Sequence, residues 1–438
     1  MQKAIYLDCN ATHPLLTRVR KSLSEALLAD DFRLSNPSSI HRVGQQSKRM
    51  VAELRAELCE WLGRPDGDEF IFLSGATEAL NLALRGFCSD RHVHGRKPII
   101  FTTTVEHSAV IDTVNDLKEN SFVEVHVEPV DSCGQFDKQN LVSKINNTLL
   151  TSPQADILLV LQLCNNETGV TYNLDSLLTE LQAEWGPKAE TDKPRIKGGK
   201  FPLSPKRIWF ACDGAQALGK MPDESLRKAL HFADYFSMSA HKMGGPQGIG
   251  SLWLRSDAPF KSQMTGGVQE RRRRAGTPNT LGLLGFLEAA REWRARGEEF
   301  RSRMSLQRKR LIEGLQTIEG LVLHGVGPDG EFPGLCNSIN FHFEGCPEES
   351  LLLCLDLAGV CVSSGSACNS GSLKPSRVLM AMGYSPEIAL SSLRATLGAE
   401  TPDEDIDAFV ECVRKNVAQI RASRARAKQI LPELVTQH

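Results

Sequence analysis

The chain lacks any apolar run of about 18 residues or more, so no membrane-spanning helix is expected. Its first segment, MQKAIYLDCNATHP, lacks the long apolar stretch of a secretory signal, and a cytoplasmic location is predicted. None of the 12 cysteines forms a C-x-x-C pair, and no Cys/His cluster has zinc-ligand spacing. We therefore predict no metal site and expect most of these thiols to be reduced and buried.

A strong excess of either charge is also absent. The net charge is −2, with 24% charged and 41% apolar residues, a balance that excludes a disordered chain and gives no general attraction to nucleic acid or membranes. The arginine run at 271–274 could be a nucleic-acid patch, or a turn that is solvated or faces a dimer partner. So short a run in a nearly neutral chain favours the turn, and neither a nucleic-acid nor a membrane partner is predicted.

At 438 residues the chain is too long for one small core and favours two domains. In its first part, short apolar runs alternate with longer amphipathic stretches, which is typical of an α/β fold with a mostly parallel sheet. Residues 184–206 are rich in Pro, Gly and Lys and indicate an inserted surface loop. The predicted strands are 69–74, 98–104, 155–163, 207–213, 233–239 and 250–255.

The last part of the chain indicates a smaller α+β domain. A long helical pattern at 279–319 predicts a helix that connects the two domains. An apolar run at 337–343, the helix PEESLLLCLDLAG, a serine-rich loop around Cys368 and a charged helix at 403–427 follow. The predicted boundaries are 15–267 for the large α/β domain, and 1–14 with 268–438 for the small domain that carries the cysteine loop.

The motif SGATEALN, at 74–81, follows the first predicted strand of the large domain. Small residues between a strand and a helix leave backbone N–H groups free, and the helix dipole favours an anion such as phosphate there. Thr77 could add a hydroxyl to this cradle. An ordinary helix cap explains the same residues.

Two further motifs contribute an acid and a lysine. ACDGAQALGK places Asp213 at the end of an apolar strand, and SAHKMGGPQGIG places Lys242 before a Gly-rich turn. Singly, a partly exposed cap explains Asp213 and a solvated surface charge explains Lys242. Together with the cradle they match the needs of pyridoxal 5'-phosphate, in which an acid keeps the pyridine nitrogen protonated and a lysine holds the aldehyde.

The motifs, in order over nearly the whole chain, resemble the class V aminotransferase superfamily, and within it the NifS/IscS-like cysteine desulfurases and selenocysteine lyases. The resemblance implies a PLP-dependent enzyme of fold type I: α/β, with a mixed, mostly parallel central sheet in a large domain and a smaller α+β C-terminal domain. The motifs are YLDCNATHP, NPSSIHRVG, SGATEALN, VEHSAV, NNETGV, DGAQALGK, SAHKMGGPQGIG, GGVQERRRRAGTPN, SSGSACNSG and LRATLG.

The resemblance also implies roles for single residues. Lys242 would hold the cofactor aldehyde and act as a base, Asp213 would pair with the pyridine nitrogen, and His107 would stack on the ring and transfer protons. Thr277 would reach the phosphate bound by the neighbouring subunit, which implies a homodimer with shared active sites. The other expected cofactor ligands are Gln216 and Asn166 near the ring hydroxyl, and Ala76, Thr77, Ser239 and His241 at the phosphate.

Arg394 matches the residue that binds the substrate carboxylate, helped by Asn36 and Asn166, and Cys368 matches the nucleophile. The leading hypothesis is a desulfurase that converts L-cysteine to L-alanine, forms a persulfide on Cys368 and passes sulfur to an acceptor protein for iron–sulfur cluster assembly or thio-modification. A selenocysteine lyase and a catalytically silent scaffold are the alternatives. The residues that depart from the family pattern are Cys9, His13, Gly244, Ala399 and Glu400.

Overall fold

The computed structural model describes most of the chain. The described residues are 4–29, 34–64, 68–121, 123–185, 207–327, 334–347, 350–364 and 374–435. Most of the predicted insertion, residues 186–206, and the predicted nucleophile Cys368 lie outside them.

Strands and helices are numbered along the chain. The strands are β1 (Ile5–Tyr6), β2 (Glu69–Leu73), β3 (Lys97–Thr103), β4 (Glu124–Glu128), β5 (Ala155–Gln162), β6 (Ile208–Asp213), β7 (Tyr235–Ser239), β8 (Gly250–Leu254), β9 (Leu321–Leu323), β10 (Ser338–Phe343), β11 (Val360–Cys361), β12 (Ser363–Ser364) and β13 (Leu393–Thr396). The helices are α1 (Thr17–Leu28), α2 (Arg42–Leu62), α3 (Ala76–Val93), α4 (Ser108–Asn120), α5 (Lys138–Thr151), α6 (Asp175–Trp185), α7 (Asp223–Phe232), α8 (Thr280–Gln316), α9 (Ser350–Leu357), α10 (Arg377–Ala381), α11 (Pro386–Ser391) and α12 (Asp403–Val435).

The main sheet has seven strands in the order β2-β8-β7-β6-β5-β3-β4. Strands β3 to β7 pair in parallel, whereas β8 is antiparallel to both of its neighbours, β2 and β7. Strand β2 therefore points the same way as the parallel strands. The carboxyl ends of β2, β3, β5, β6 and β7 consequently lie along one edge of the sheet, where ligands bind in open α/β sheets.

Strand β5 shows why this sheet is covered on both faces. All eight of its residues are buried. Ile157 and Leu159 belong to one apolar core, and Leu158 and Val160 belong to a second core on the opposite face. The second core contains residues of α3 and α4, and the first contains residues of α2 and α5 to α8. With both faces covered, residues 157–161 of β5 form a continuous apolar run, as expected for a central parallel strand.

A second, antiparallel sheet of four strands has the order β12-β13-β10-β9. Helix α8 packs against α1, α2 and α12, and it also contacts β10. Strand β1 pairs in parallel with β11, so the amino-terminal segment joins the carboxyl-terminal part of the chain.

The predicted fold class is confirmed, with a mixed, mostly parallel sheet in an α/β arrangement. The predicted domain boundaries remain a prediction. Strand β4 was not predicted, because its sequence EVHVE alternates charged and apolar residues at the sheet edge. In the described part of the chain, no helix has the length and apolar character needed to cross a membrane.

Candidate active site

A cavity of about 430 Å³ lies at the carboxyl edge of the main sheet. It is bounded by the ends of β2, β5, β6 and β7 and by the starts of α3 and α4. The fold therefore brings together nine of the predicted cofactor residues from distant parts of the sequence. These residues are Ala76, Thr77, His107, Asn166, Asp213, Gln216, Ser239, His241 and Lys242.

One end of the cavity is built by the start of α3. The residue that precedes this helix, Gly75, provides no side-chain cap, so the first backbone N–H groups of α3 face the cavity without a competing acceptor from that position. Ser239, at the end of β7, lies across from this turn, since a Cβ at position 75 would be 3.5 Å from its Oγ. Thr77 also lines the cavity. This end suits an anion.

Glu78, in the same turn, is a residue that the sequence argument missed. Its carboxylate accepts from the Ser74 N–H at 2.7 Å and from Arg274 Nε at 2.8 Å. Burial acts to raise the pKa of Glu78, but the bonds from Arg274 and Ser74 outweigh it and lower that pKa. The anion end of the cavity therefore carries a carboxylate whose charge is already compensated by an arginine.

Asp213 is 6% exposed and ends β6. Its Oδ1 accepts from the Ser237 hydroxyl at 2.9 Å and from the Ala215 N–H at 3.0 Å, because β6 and β7 pair with Asp213 opposite Ser237. Among the described residues both donors use Oδ1, which leaves Oδ2 for a donor in the cavity. A buried carboxylate in this position suits a protonated ring nitrogen.

His107 precedes α4 and caps it. Its Nδ1 accepts from the Ala109 N–H at 3.1 Å, so the proton of the neutral ring is on Nε2. The ring is exposed to the cavity, but the surrounding protein still removes part of its solvent. This desolvation lowers the pKa of His107. The charge of Asp213 acts to raise that pKa, and the positive charge of Lys242 acts to lower it further. His107 is therefore a neutral imidazole with a fixed orientation.

Lys242 lies in a 3-10 turn after β7, and its Nζ donates to the backbone oxygens of Asn10 at 2.7 Å and Ala11 at 2.9 Å. Burial, and then the charge of Arg394, lower the pKa of Lys242 to about 8. The adjacent His241 bonds the Thr12 hydroxyl through Nδ1 at 3.1 Å, and burial lowers its pKa to about 4. The site thus holds a lysine that is partly neutral near physiological pH and a neutral histidine.

Arg394, on β13, is 2% exposed and does not line the cavity wall. Its Nη2 donates to Asp8 Oδ1 at 2.7 Å and to the Ser363 hydroxyl at 3.1 Å, and its Nη1 donates to the backbone oxygen of Asn166 at 3.0 Å. Within the described residues its Nε has no partner. Arg394 therefore lies beside the cavity, in contact with Asn166, with the carboxylate of Asp8 already bound and with Nε–H unpaired among the described residues.

Two further predicted residues, besides Arg394, do not line this cavity. Asn36 is exposed, and its Oδ1 accepts from the Ser38 N–H at 2.9 Å. Thr277 is also exposed and follows a turn in which Glu270, Arg271 and Arg272 have positive φ angles. Neither contributes to the cavity of its own chain.

The arginine run before Thr277 is largely paired within the chain. Arg273 Nε donates to Glu69 at 3.0 Å, and Arg274 is bound by Glu78 as described above. Arg271 Nη1 also lies 3.8 Å from a Glu69 oxygen, so three of the four guanidinium groups are paired with carboxylates of the same chain. This pairing argues against the nucleic-acid interpretation of the run.

The departures from the family pattern meet at one place. His13 is 4% exposed; its Nε2 accepts from the Ala399 N–H at 2.9 Å. A Cβ at Gly244 would lie 2.5 Å from Leu16 Cγ and 3.1 Å from His13 Nδ1, and a Cβ at Gly398 would lie 2.9 Å from Cys9 Sγ. The absence of a side chain at position 244 therefore leaves room for Leu16 and His13.

Comparison with known proteins places the chain in a family. The aminotransferase class-V profile matches residues 5–186 and 203–409. The chain is 35% identical to cysteine desulfurase IscS of Shewanella loihica, covering 96% of this chain and 94% of that protein, and 35% identical to IscS of Methanosarcina thermophila, with 96% and 93% covered.

Solved structures agree with this result. A NifS-like protein from Rickettsia africae has a TM-score of 0.77 at 24% identity, with 95% of this chain and 99% of that chain covered, and shows the same fold. DndA from Streptomyces lividans has a TM-score of 0.67 at 29% identity, with 87% and 96% covered.

The fold and the family match define the class: this chain belongs to the class-V aminotransferase family, and within it to the NifS/IscS-like group. The resemblance predicted from the sequence motifs is confirmed. The chain is accordingly an enzyme of this family.

Proposed function

We propose that this protein is a PLP-dependent cysteine desulfurase, which converts L-cysteine to L-alanine and transfers the sulfur atom to an acceptor protein. The observation that carries the proposal is the cavity in which the Lys242 amine, the Asp213 carboxylate, the His107 imidazole and the uncapped start of α3 meet. The names of the relatives point to the same substrate.

The residues present fit pyridoxal phosphate. The anion end, with the N–H groups of α3 and the hydroxyls of Thr77 and Ser239, suits its phosphate. The free Oδ2 of Asp213 suits its ring nitrogen, and the amine of Lys242 suits its aldehyde. When bound, the cofactor supplies an electron sink for bond breaking in the amino acid.

The chain's own groups then have distinct tasks. Lys242, partly neutral near pH 8, takes the proton from the substrate α-carbon. His107 lines the cavity and its Nδ1 is engaged by the Ala109 N–H, so Nε2–H is the group through which it can pass a proton. Arg394, which lies beside the cavity and already binds Asp8, is assigned to the substrate carboxylate because its guanidinium group suits a carboxylate by shape and charge and its Nε–H has no partner among the described residues.

The sulfur step is assigned to Cys368. Its thiolate attacks the substrate sulfur, so that an S–S bond forms while the C–S bond breaks. The electron pair of the broken bond stays with the substrate carbon, which takes up a proton, and alanine leaves. The persulfide on Cys368 is then attacked by a thiol of the acceptor, which supplies sulfur for iron–sulfur clusters or thio-modification.

The proposal includes a homodimer with shared active sites. Thr277 is exposed and does not line the cavity of its own chain, which supports a role at the phosphate of the neighbouring subunit. The strained turn at Glu270–Arg272 is anchored by Glu270, whose carboxylate accepts from Arg55 at 2.6 Å and from the Phe72 N–H at 2.9 Å.

The test supplies L-cysteine and L-selenocysteine separately and measures alanine together with sulfide or selenide. The wild type should be yellow and should form alanine from cysteine with a reductant present. Lys242→Ala should be colourless, whereas Lys228→Ala, at an exposed lysine, should keep the colour. Cys368→Ala should bind cofactor but no longer turn over cysteine. The control Cys133→Ala should bind cofactor and keep its turnover of cysteine. Turnover of selenocysteine alone, or full activity of Cys368→Ala, would contradict the proposal.

A further inference from the structure

A second lysine lies behind the cavity. Lys220 is 3% exposed and is in the turn between β6 and α7. Its Nζ donates to Asn10 Oδ1 at 2.9 Å and to Gln216 Oε1. Among the residues that the structure describes, no carboxylate forms an ion pair with Lys220, so its burial is not explained by charge neutralisation.

Asn10 joins the two lysines. It is 1% exposed, and its backbone oxygen accepts from Lys242 Nζ at 2.7 Å and from Gln216 Nε2 at 3.0 Å. Its side-chain Oδ1 accepts from Lys220 and from Asn337 Nδ2 at 3.2 Å. With two donors on Oδ1, the amide of Asn10 can have only one orientation, and the backbone oxygen that receives Lys242 is held in place with it.

The same lysine fixes the amide of Gln216, which lines the cavity. Gln216 Oε1 accepts from Lys220, so Nε2 must point the other way, where one of its hydrogens is donated to Asn10. The second hydrogen of Nε2 is then the polar group that Gln216 can offer to the cavity. A donor in that position would recognise an anionic oxygen on a ring bound there.

We propose that Lys220 is a positioning residue, which through Asn10 and Gln216 holds the amine of Lys242 in place and presents an N–H donor of Gln216 to the cofactor ring. This inference rests on the proposed function, because it concerns the same cavity. Burial lowers the pKa of Lys220 to about 7, which fits an amine used as a hydrogen-bond donor rather than as a permanent cation. A neutral amine has two N–H bonds, and both of its acceptors are present.

The test compares Lys220→Met, Lys220→Gln and the exposed control Lys228→Met. Methionine keeps the length of the side chain but leaves Gln216 Oε1 without its donor, whereas glutamine can still donate to one of the two acceptors. Each apo-protein is titrated with pyridoxal phosphate, and its dissociation constant, the position of the visible absorption band, and kcat and KM for L-cysteine are measured separately.

Lys220→Met should bind the cofactor about 10-fold more weakly, the change expected for one unsatisfied buried acceptor. It should also shift the absorption band and lower kcat. KM should change little, because the substrate carboxylate is assigned to Arg394 and not to the residues that Lys220 contacts. Lys220→Gln should lie between Lys220→Met and wild type, and Lys228→Met should equal wild type.

A wild-type absorption band and affinity in Lys220→Met would overturn the inference while leaving the proposed function intact. If Lys220→Met does not fold, a folded Lys220→Gln with wild-type band, affinity and kcat would overturn it equally. A wild-type protein that takes up no cofactor would refute the proposed function and this inference together.

Discussion

The lowered pKa of Lys242 predicts how fast the apo-protein captures pyridoxal phosphate at each pH. Only the neutral amine attacks the aldehyde, and burial together with Arg394 lowers the pKa from the ordinary 10.5 to about 8. At pH 8 about half of the amine is therefore neutral, compared with about 0.3% for an ordinary lysine. The capture rate should rise with pH and level off above a midpoint near 8, since deprotonation is then complete.

A substitution tests the cause of this shift. Arg394→Gln removes the nearby cation that lowers the pKa of Lys242, so the midpoint should move upward, while the glutamine amide can still donate to Asp8. Stopped-flow absorbance between pH 6 and about 10.5 measures the rate, with the exposed Arg414→Gln as control. A midpoint near 10.5 in the wild type, or a downward move in Arg394→Gln, would refute the electrostatic argument.

Two predictions concern the sheet that carries the site. Gly214→Ala places a Cβ 2.1 Å from the Phe236 ring, so it should lower the free energy of unfolding by about 1–3 kcal/mol and lower the thermal midpoint. It should also weaken cofactor binding, because Gly214 is next to Asp213. Unchanged stability and cofactor affinity would contradict this packing. Asp156→Asn removes a buried carboxylate that binds Arg91 at 3.3 Å and Arg96 at 2.6 Å. The free energy of unfolding, measured with guanidinium, should fall by roughly 2 kcal/mol. The control Glu224→Gln, at an exposed ion pair, should leave the unfolding midpoint unchanged.

The six strands predicted for the first part of the chain all occur, as β2, β3, β5, β6, β7 and β8, because each is a largely buried and mainly apolar segment. The edge strand β4 lacks that signal, since only part of it is covered. Helix α8 and the apolar strand β10 also match their predictions at 279–319 and 337–343.

The site was predictable where a motif contains the chemical group, as for Lys242 and Asp213. Asn10 and Lys220 were missed although both lie in quoted motifs, because a buried lysine resembles a surface lysine in sequence. Their roles depend on contacts between residues 210 positions apart. Similarly, nothing in the sequence indicates that Arg394 is already paired with Asp8, 386 positions away.

The bonds of Asn10 also constrain the order of folding. Its backbone N–H donates to Thr396 Oγ1 at 2.9 Å, and Asp8 forms a bridge with Thr396, so the segment at residues 8–10 must meet β13. A nascent chain that has not yet been synthesised beyond β13 lacks this partner, however well its main sheet has formed. Contacts of such long range form late because they close the largest loops. Uptake of the cofactor should therefore mark the end of folding, and a fragment that ends before β13 should form the sheet without acquiring colour.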